Sequence, residues 1–406
     1  MKILVVSNRY PPAVVGGYEV ECAHVVSHLR TRHDVYVLTS DVRPHPDGPE
    51  PGVRRGLRLF TAGTKAESLR APAAARPAAD LMRATLRGFR PDLAFVWNGA
   101  GIPHAALRVL DAEPIPLAYR ICEHWFGRLY TGDLFLRHLL GDDDGVRWAW
   151  AQCCRAVNRL PGLRLEFAAR RPVGVLWNSE YMKSTVPVPA VYDAVLEEVL
   201  LPVTPRVDAL DGIPRDPDPE PSIICVGRVS PEKGPDVVAT AQGLLASDGL
   251  AVRVRFAGPI DPGTRSEVEG IAAAAGASDR IEFLGPLDEP ALKAAMGRAS
   301  LTVIASVWDE PAPMTALEAA RARLPIVASR VGGIPEVLRD GQDALFFERA
   351  DAAGCARAVA ETLREPAAAA SRVQSAYGRA REFTFPRYLE ATDAFLAAAA
   401  SLPVAS

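Results

Sequence analysis

Short apolar runs punctuate the first half of the chain, and each gives way to turn residues and then to a longer segment of helical periodicity. Ile3–Val6 comes first. Behind it Cys22, Val25, Val26 and Leu29 recur at i, i+3, i+4 and i+7, the stripe of an amphipathic helix. Val35–Leu38, Leu93–Val96, Leu117–Ile121 and Val173–Leu176 repeat the strand signal, with enough chain between them for crossover helices. Strands that alternate with helices in this way predict a parallel, doubly wound α/β lobe.

The pattern then restarts. Ile223–Val226, Val252–Phe256, Ile281–Leu284, Leu301–Ala305 and Ile326–Ala328 are strand-like, with Ala-rich helical segments between them. Between the two series, Pro202 to Pro221 is rich in proline and aspartate and poor in aliphatics, which reads as an interdomain linker. The expected division is residues 1–205, a linker of 206–221, and 222–385. A late helix from Tyr388 to Leu402 is long enough to return to the first lobe, so 386–406 is assigned there. No fixed-period repeat supports a solenoid.

Composition narrows the function classes. With 406 residues, 49% hydrophobic and 23% charged, each lobe has enough apolar material for its own core. A net charge of −3 provides no basic field, so a nucleic-acid partner is not expected. The six cysteines show neither C-x-x-C spacing nor a His/Cys ligand cluster, so they read as reduced thiols. The opening run Ile3–Val6 is too short for a signal-peptide core or a membrane span. The expected compartment is the cytoplasm, and membrane association is not indicated.

Chemistry concentrates at predicted strand ends, where ligands of open parallel sheets bind. Arg228 and Lys233, in Gly227-Arg228-Val229-Ser230-Pro231-Glu232-Lys233-Gly234, follow the strand Ile223–Val226; two cations on a Gly-bounded loop suit a diphosphate. Glu310 leaves the strand Leu301–Ala305, and Glu318 lies on the ensuing helix. A carboxylate accepts from two adjacent hydroxyls, so Glu318 suits a ribose diol and Glu310 suits sugar hydroxyls. Apolar neighbours Leu317, Ala319 and Ala320 argue that Glu318 has a partner. Together these residues describe a pocket for a nucleotide diphosphate sugar.

Weaker signals lie in the first lobe. Gly16-Gly17 after the first strand permits close backbone approach to a phosphate or acceptor, yet it is no G-x-G-x-x-G fingerprint, which disfavours a dinucleotide. His124 follows the strand Leu117–Ile121 and is placed either to orient a hydroxyl or to make a structural hydrogen bond. Asp142-Asp143-Asp144 has a D-x-D spacing but follows a helical stretch, Leu134 to Leu140, and reads as solvated loop. Trp125, Phe126, Tyr130, Trp148 and Trp150 either stack on an acceptor or fill a core.

These segments, in order, resemble the retaining nucleotide-sugar glycosyltransferases of family 4: Gly16-Gly17, Gly227-Arg228 to Lys233-Gly234, Phe283-Leu284-Gly285, Glu310 with Glu318, and Leu324 to Ser329 followed by Gly332-Gly333-Ile334-Pro335-Glu336. The resemblance covers nearly the whole chain. It implies a GT-B fold of two Rossmann-like, doubly wound parallel-sheet domains facing a central cleft, with the donor held mainly by the second and the acceptor by the first. Arg228 and Lys233 match the diphosphate pair, Glu318 the ribose carboxylate and Glu310 the sugar-contacting carboxylate. Leu287 falls where backbone groups hold the base. The implied donor site further takes in Ala312, Met314 and Thr315 with Gly16 and Gly17, and the implied catalytic groups are Arg228, Lys233, Glu310 and His124. No metal or other cofactor is expected, because the two cations replace a metal electrostatically.

Two departures stand out. The family's His-Asp-x-Trp is represented by Cys122, Glu123 and Trp125, which leaves His124 offset by two. The glycine expected three residues after the first Glu is Pro313, which has no N–H to offer a sugar hydroxyl. The reading is transfer of a hexosyl unit from a nucleotide diphosphate sugar to an acceptor hydroxyl on a glycan, lipid-linked or small-molecule glycoside, with retention. The rival readings are a nucleotide-sugar epimerase, a sugar phosphorylase, or a sugar-nucleotide-binding protein without chemistry.

Overall fold

The computed structural model describes residues 1–46, 48–60, 65–129, 145–159 and 170–404. The Asp142–Asp144 run, Tyr130 and Leu134–Leu140 lie outside the described residues, as does the side chain of Trp148. The chain forms two compact units: Met1–Leu200 together with Leu389–Ser406, and Leu201–Tyr388.

The first unit is built on seven parallel strands: β1 (Lys2–Ser7), β2 (Asp34–Ser40), β3 (Val53–Leu57), β4 (Leu93–Asn98), β5 (Leu117–Ile121), β6 (Arg171–Trp177) and β7 (Tyr192–Val199). Their spatial order is β3-β2-β1-β4-β5-β6-β7. The central strands are buried throughout, as continuous apolar runs covered on both faces must be. The helix Gly17–Leu29 buries Cys22, Val25, Val26 and Leu29, the stripe its periodicity predicts. Trp125 and Phe126 belong to the core, against Tyr119 at 6.2 and 4.9 Å between ring centroids. Trp125 occupies the space where a side chain at Gly99 would lie.

Deep in this unit Arg120 and Glu21 form an ion pair of 2.9 Å, both side chains essentially unexposed. The guanidinium also donates to the carbonyls of Trp177 and Leu200 at 3.1 and 2.9 Å.

The second unit has six parallel strands: β8 (Ser222–Val226), β9 (Arg253–Ala257), β10 (Ile281–Gly285), β11 (Leu301–Ile304), β12 (Ile326–Ser329) and β13 (Leu345–Phe347). Their order, β10-β9-β8-β11-β12-β13, reverses direction between β8 and β11. That reversal opens a crevice at the carboxyl ends of these two neighbours, where the chain leaves toward opposite faces of the sheet.

The stretch from Pro202 to Pro221, expected as a linker, is folded onto the second unit. Pro205–Ala209 is a short helix, with Val207 and Leu210 fully buried. Three of its aspartates are counter-ions: Asp208 and Asp211 pair with Arg321 at 3.3 and 3.1 Å, and Asp218 with Arg255 and Arg298, each at 2.7 Å. Arg215 donates to the carbonyls of Met296 and Ala299. A composition typical of loops is here set by ionic partners that lie far away in sequence.

Candidate active site

The crevice beyond β8 and β11 is a pocket lined by Arg228, Lys233, Ser306, Glu310, Thr315 and Glu318, over a floor that includes Val226, Ala305 and Ala319. Three strand-to-helix connections build it. After β8 the chain passes through one tight turn, Pro231–Lys233, before the helix Pro235–Ser247. Gly234 between them has φ 63°, and a Cβ there would lie 2.1 Å from the Ala305 carbonyl oxygen, so only glycine lets this loop press against the end of β11. Val307 N–H donates to the Glu232 carbonyl at 3.0 Å and ties the two loops together.

The second connection leaves β11 and reaches the helix Met314–Arg321, with Pro313 as its N-cap residue. Glu310 is 8% exposed. Its Oε1 lies 2.5 Å from Lys233 Nζ and also accepts from Ser306 Oγ. The third connection, after β12, holds the Glu310 backbone: Gly333 N–H donates to the Glu310 carbonyl at 2.8 Å. Gly332, at φ 52°, lies so close that a Cβ would come within 2.2 Å of that same oxygen. Ser329 Oγ donates to the Ser306 carbonyl at 2.8 Å.

Glu318 sits one helical turn inside the helix Met314–Arg321 and is buried. Burial pushes its carboxyl up to about 7, against a smaller opposing pull from Arg206, whose Nη1 is 3.8 Å away. Arg228 projects further out, about half exposed, with its guanidinium 3.1 Å from Glu232 Oε1. Ser230 Oγ donates to that oxygen at 2.7 Å. The pocket therefore carries two cations, a buried carboxylate held in place and a second carboxylate poised near neutrality.

Of the residues singled out in sequence, Arg228, Lys233, Glu310, Thr315 and Glu318 meet in this pocket. Ala312 and Met314 are partly buried in the loop and first helical turn between Glu310 and Glu318 and do not line it. Leu287 lies after β10, two strands from β8. Gly16, Gly17 and His124 belong to the first unit. There the Gly16 N–H donates to Glu19 Oε2 at 2.8 Å, so the helix start is capped by the helix's own carboxylate. His124 is partly buried in the connection after β5, beside the buried Trp125. Sequence spacing alone did not single out Ser306, Ser329, Glu232 or Arg206; the nearest signal is that Ser306 stands four residues before Glu310 at a strand end.

The sheet orders and the strand-end pocket define a protein of two parallel-sheet α/β units, with the pocket at the switch point where open sheets bind ligands. Residues 208–381 match the family model described as Glycosyl transferases group 1. Over 403 residues the chain is 27% identical to the glycogen synthase of Mycobacterium tuberculosis, covering 93% of this chain and 90% of that protein. Among solved structures it is similar to sucrose-phosphate synthase from Thermosynechococcus elongatus, with a TM-score of 0.69, 17% identity and 98% of each chain covered. It is also similar to Alr3699/HepE from Anabaena in complex with UDP and glucose, with a TM-score of 0.66, 17% identity, and 99% of this chain and 100% of that one covered. The fold is that of the GT-B glycosyltransferases. The stretch that matches the group 1 model contains the pocket, in keeping with the family 4 resemblance. Among the described residues no helix is long and apolar enough to cross a membrane.

Proposed function

We propose that the protein transfers a hexosyl unit from a nucleotide diphosphate sugar to an acceptor hydroxyl, with retention at the anomeric carbon. The observation that carries this reading is the convergence of Arg228, Lys233, Glu310 and Glu318 on one pocket at the β8/β11 switch point. In this reading Glu318 accepts from the two ribose hydroxyls, and Glu310 from the sugar. As the glycosidic C–O bond breaks, negative charge grows on the departing β-phosphate oxygen. Arg228 and Lys233 stabilise that charge more than they stabilise the intact donor, and this difference lowers the barrier. The two cations serve the leaving group in place of a divalent ion.

Retention follows from front-face attack: the acceptor hydroxyl approaches on the side of the leaving diphosphate, whose oxygen takes its proton as the new C–O bond forms. This route needs no carboxylate nucleophile beneath the anomeric carbon. Neighbours such as the Anabaena protein solved with UDP and glucose support a nucleotide-sugar donor for this chain. The acceptor is assigned to the first unit, through the Gly16-Gly17 loop and His124.

The deciding experiment incubates the protein with isotopically labelled nucleotide sugars, with and without an acceptor extract, and follows both label and anomeric proton coupling by NMR. Transfer of label with the donor's own anomeric configuration is expected. Interconversion of donor sugars without acceptor would indicate an epimerase, and release of sugar 1-phosphate with inorganic phosphate a phosphorylase. Binding with no turnover of any donor would leave a sugar-nucleotide-binding protein.

A further inference from the structure

In the pocket as it stands, Lys233 and Glu310 hold one another: Nζ lies 2.5 Å from Oε1, the same oxygen that accepts from Ser306 Oγ. The two partners differ in how firmly they are fixed. Glu310 is anchored by its backbone through Gly333 N–H and the tight approach of Gly332, while its neighbour Asp309 is paired with Arg349. Ser306, which touches its carboxylate, is itself held by Ser329. Lys233 is one-third exposed, on a four-carbon stem. When a diphosphate draws the ammonium away, the carboxylate cannot follow.

The charge-assisted hydrogen bond that Glu310 then loses is worth replacing, because the group is largely buried. A ligand replaces it only by bringing a donor to Oε1. The hydroxyls of a bound sugar do so. A free nucleoside diphosphate, which is what remains after transfer, brings no hydrogen-bond donor at its phosphate end once its terminal phosphate is fully ionised, well above about pH 6.

We infer that the Ser306–Glu310–Lys233 relay makes this pocket select the sugar-bearing donor over its own nucleoside diphosphate product, with Glu310 as the specificity-determining group and Ser306 as the residue that positions it. The inference rests on the donor reading given above. In this arrangement Glu310 is an internal counter-ion: it yields Lys233 when the donor arrives and reclaims it as the product leaves, which speeds product release.

Calorimetric titration of the full-length protein tests the relay, using UDP, ADP and GDP and the corresponding nucleotide diphosphate glucoses. Glu310→Gln keeps the size of the side chain and removes its charge. It should bind the free nucleoside diphosphate about fivefold more tightly than wild type, on the scale of a partly exposed ion pair, and the sugar-bearing donor no more tightly. In a Lys233→Ala background the same substitution should change nucleoside diphosphate affinity by less than about twofold, since the coupling has gone. Ser306→Ala should lower the donor-over-product affinity ratio, and Ser306→Thr, which retains a hydroxyl, should restore it.

Unchanged or weaker nucleoside diphosphate binding in Glu310→Gln overturns the inference, as does an equal gain when Lys233 is absent. An unchanged ratio in Ser306→Ala removes Ser306 from the relay. Wild-type protein that binds none of these ligands refutes the donor reading itself, and the inference falls with it.

Discussion

Binding of the sugar-bearing donor should depend on pH through Glu318. Its carboxyl is pushed up to about 7 by burial, partly opposed by Arg206. A ribose diol donates hydrogen bonds to the carboxylate, so the bound state favours loss of the proton that the empty site retains below about pH 7. Affinity should therefore rise with pH through that value and level off above it. For a group of pKa about 7, the deprotonated fraction changes about tenfold between pH 6 and pH 8. The expected change in apparent affinity is the same factor, about 1.4 kcal/mol.

Two features make the assignment clean. All seven histidines lie in the first 138 residues, so the second unit, Leu201–Tyr388, has none to titrate near neutrality. A nucleotide diphosphate sugar, unlike the free diphosphate, has no terminal phosphate ionising near pH 6. Isothermal titration of the donor in buffers of different ionisation enthalpy gives both affinity and proton release. Glu318→Gln should bind more weakly at pH 8 and lose the pH dependence. A wild-type affinity flat within about twofold from pH 6 to 8, or an equal slope in Glu318→Gln, would refute the assignment of this carboxylate to the ribose.

Lys233→Ala and Arg228→Ala should each lower kcat by about a hundredfold with the fold retained, since both act on charge that grows in the transition state; kcat within about threefold of wild type in both would remove the central claim. Turnover should persist in excess EDTA, and a loss restored by magnesium or manganese would show that a divalent ion takes part. Gly332→Ala places a Cβ against the Glu310 carbonyl in a left-handed backbone region, so donor affinity should fall and chemical denaturation should register about 2 kcal/mol or more of lost stability. Arg120→Met removes the guanidinium that pairs with the buried Glu21 and should cost about 3–5 kcal/mol in the same assay; a change under about 1 kcal/mol would mean that the pair is readily dispensed with.

The buried strands were legible because burial on both faces leaves an uninterrupted apolar run. Those that sequence reading did not pick out, β3, β7 and β13, are all sheet edges. Edge strands tolerate charge and brevity: Arg54 and Arg55 interrupt β3, Glu197 and Glu198 interrupt β7, and β13 is only Leu345–Phe347. Lys233, Glu310 and Glu318 were readable from their places just after predicted strands, because strand ends are where an open sheet exposes backbone to ligands. Their partners were not. Arg206 reaches Glu318 from a stretch read as linker, and Ser329 supports Ser306 from the next strand. Such pairings depend on strand order, which a linear pattern of apolar runs leaves open. Asp208, Asp211 and Asp218 read as linker composition for the same reason, since Arg255, Arg298 and Arg321 are distant in sequence.

The first unit is assembled from both ends of the chain, residues Met1–Leu200 and Leu389–Ser406, with the second unit spliced between them. The returning segment is integral to it: Asp393 pairs with His28 and Arg32 at 3.0 and 2.7 Å, and Phe395, fully buried, packs against Gly174 of β6. The segment from Leu389 onward is made only after the whole of Leu201–Tyr388, so the first unit cannot complete its cover until the second has been synthesised. The half made first finishes last, and a chain interrupted before Leu389 has the second unit whole while its amino-terminal sheet lacks part of its cover.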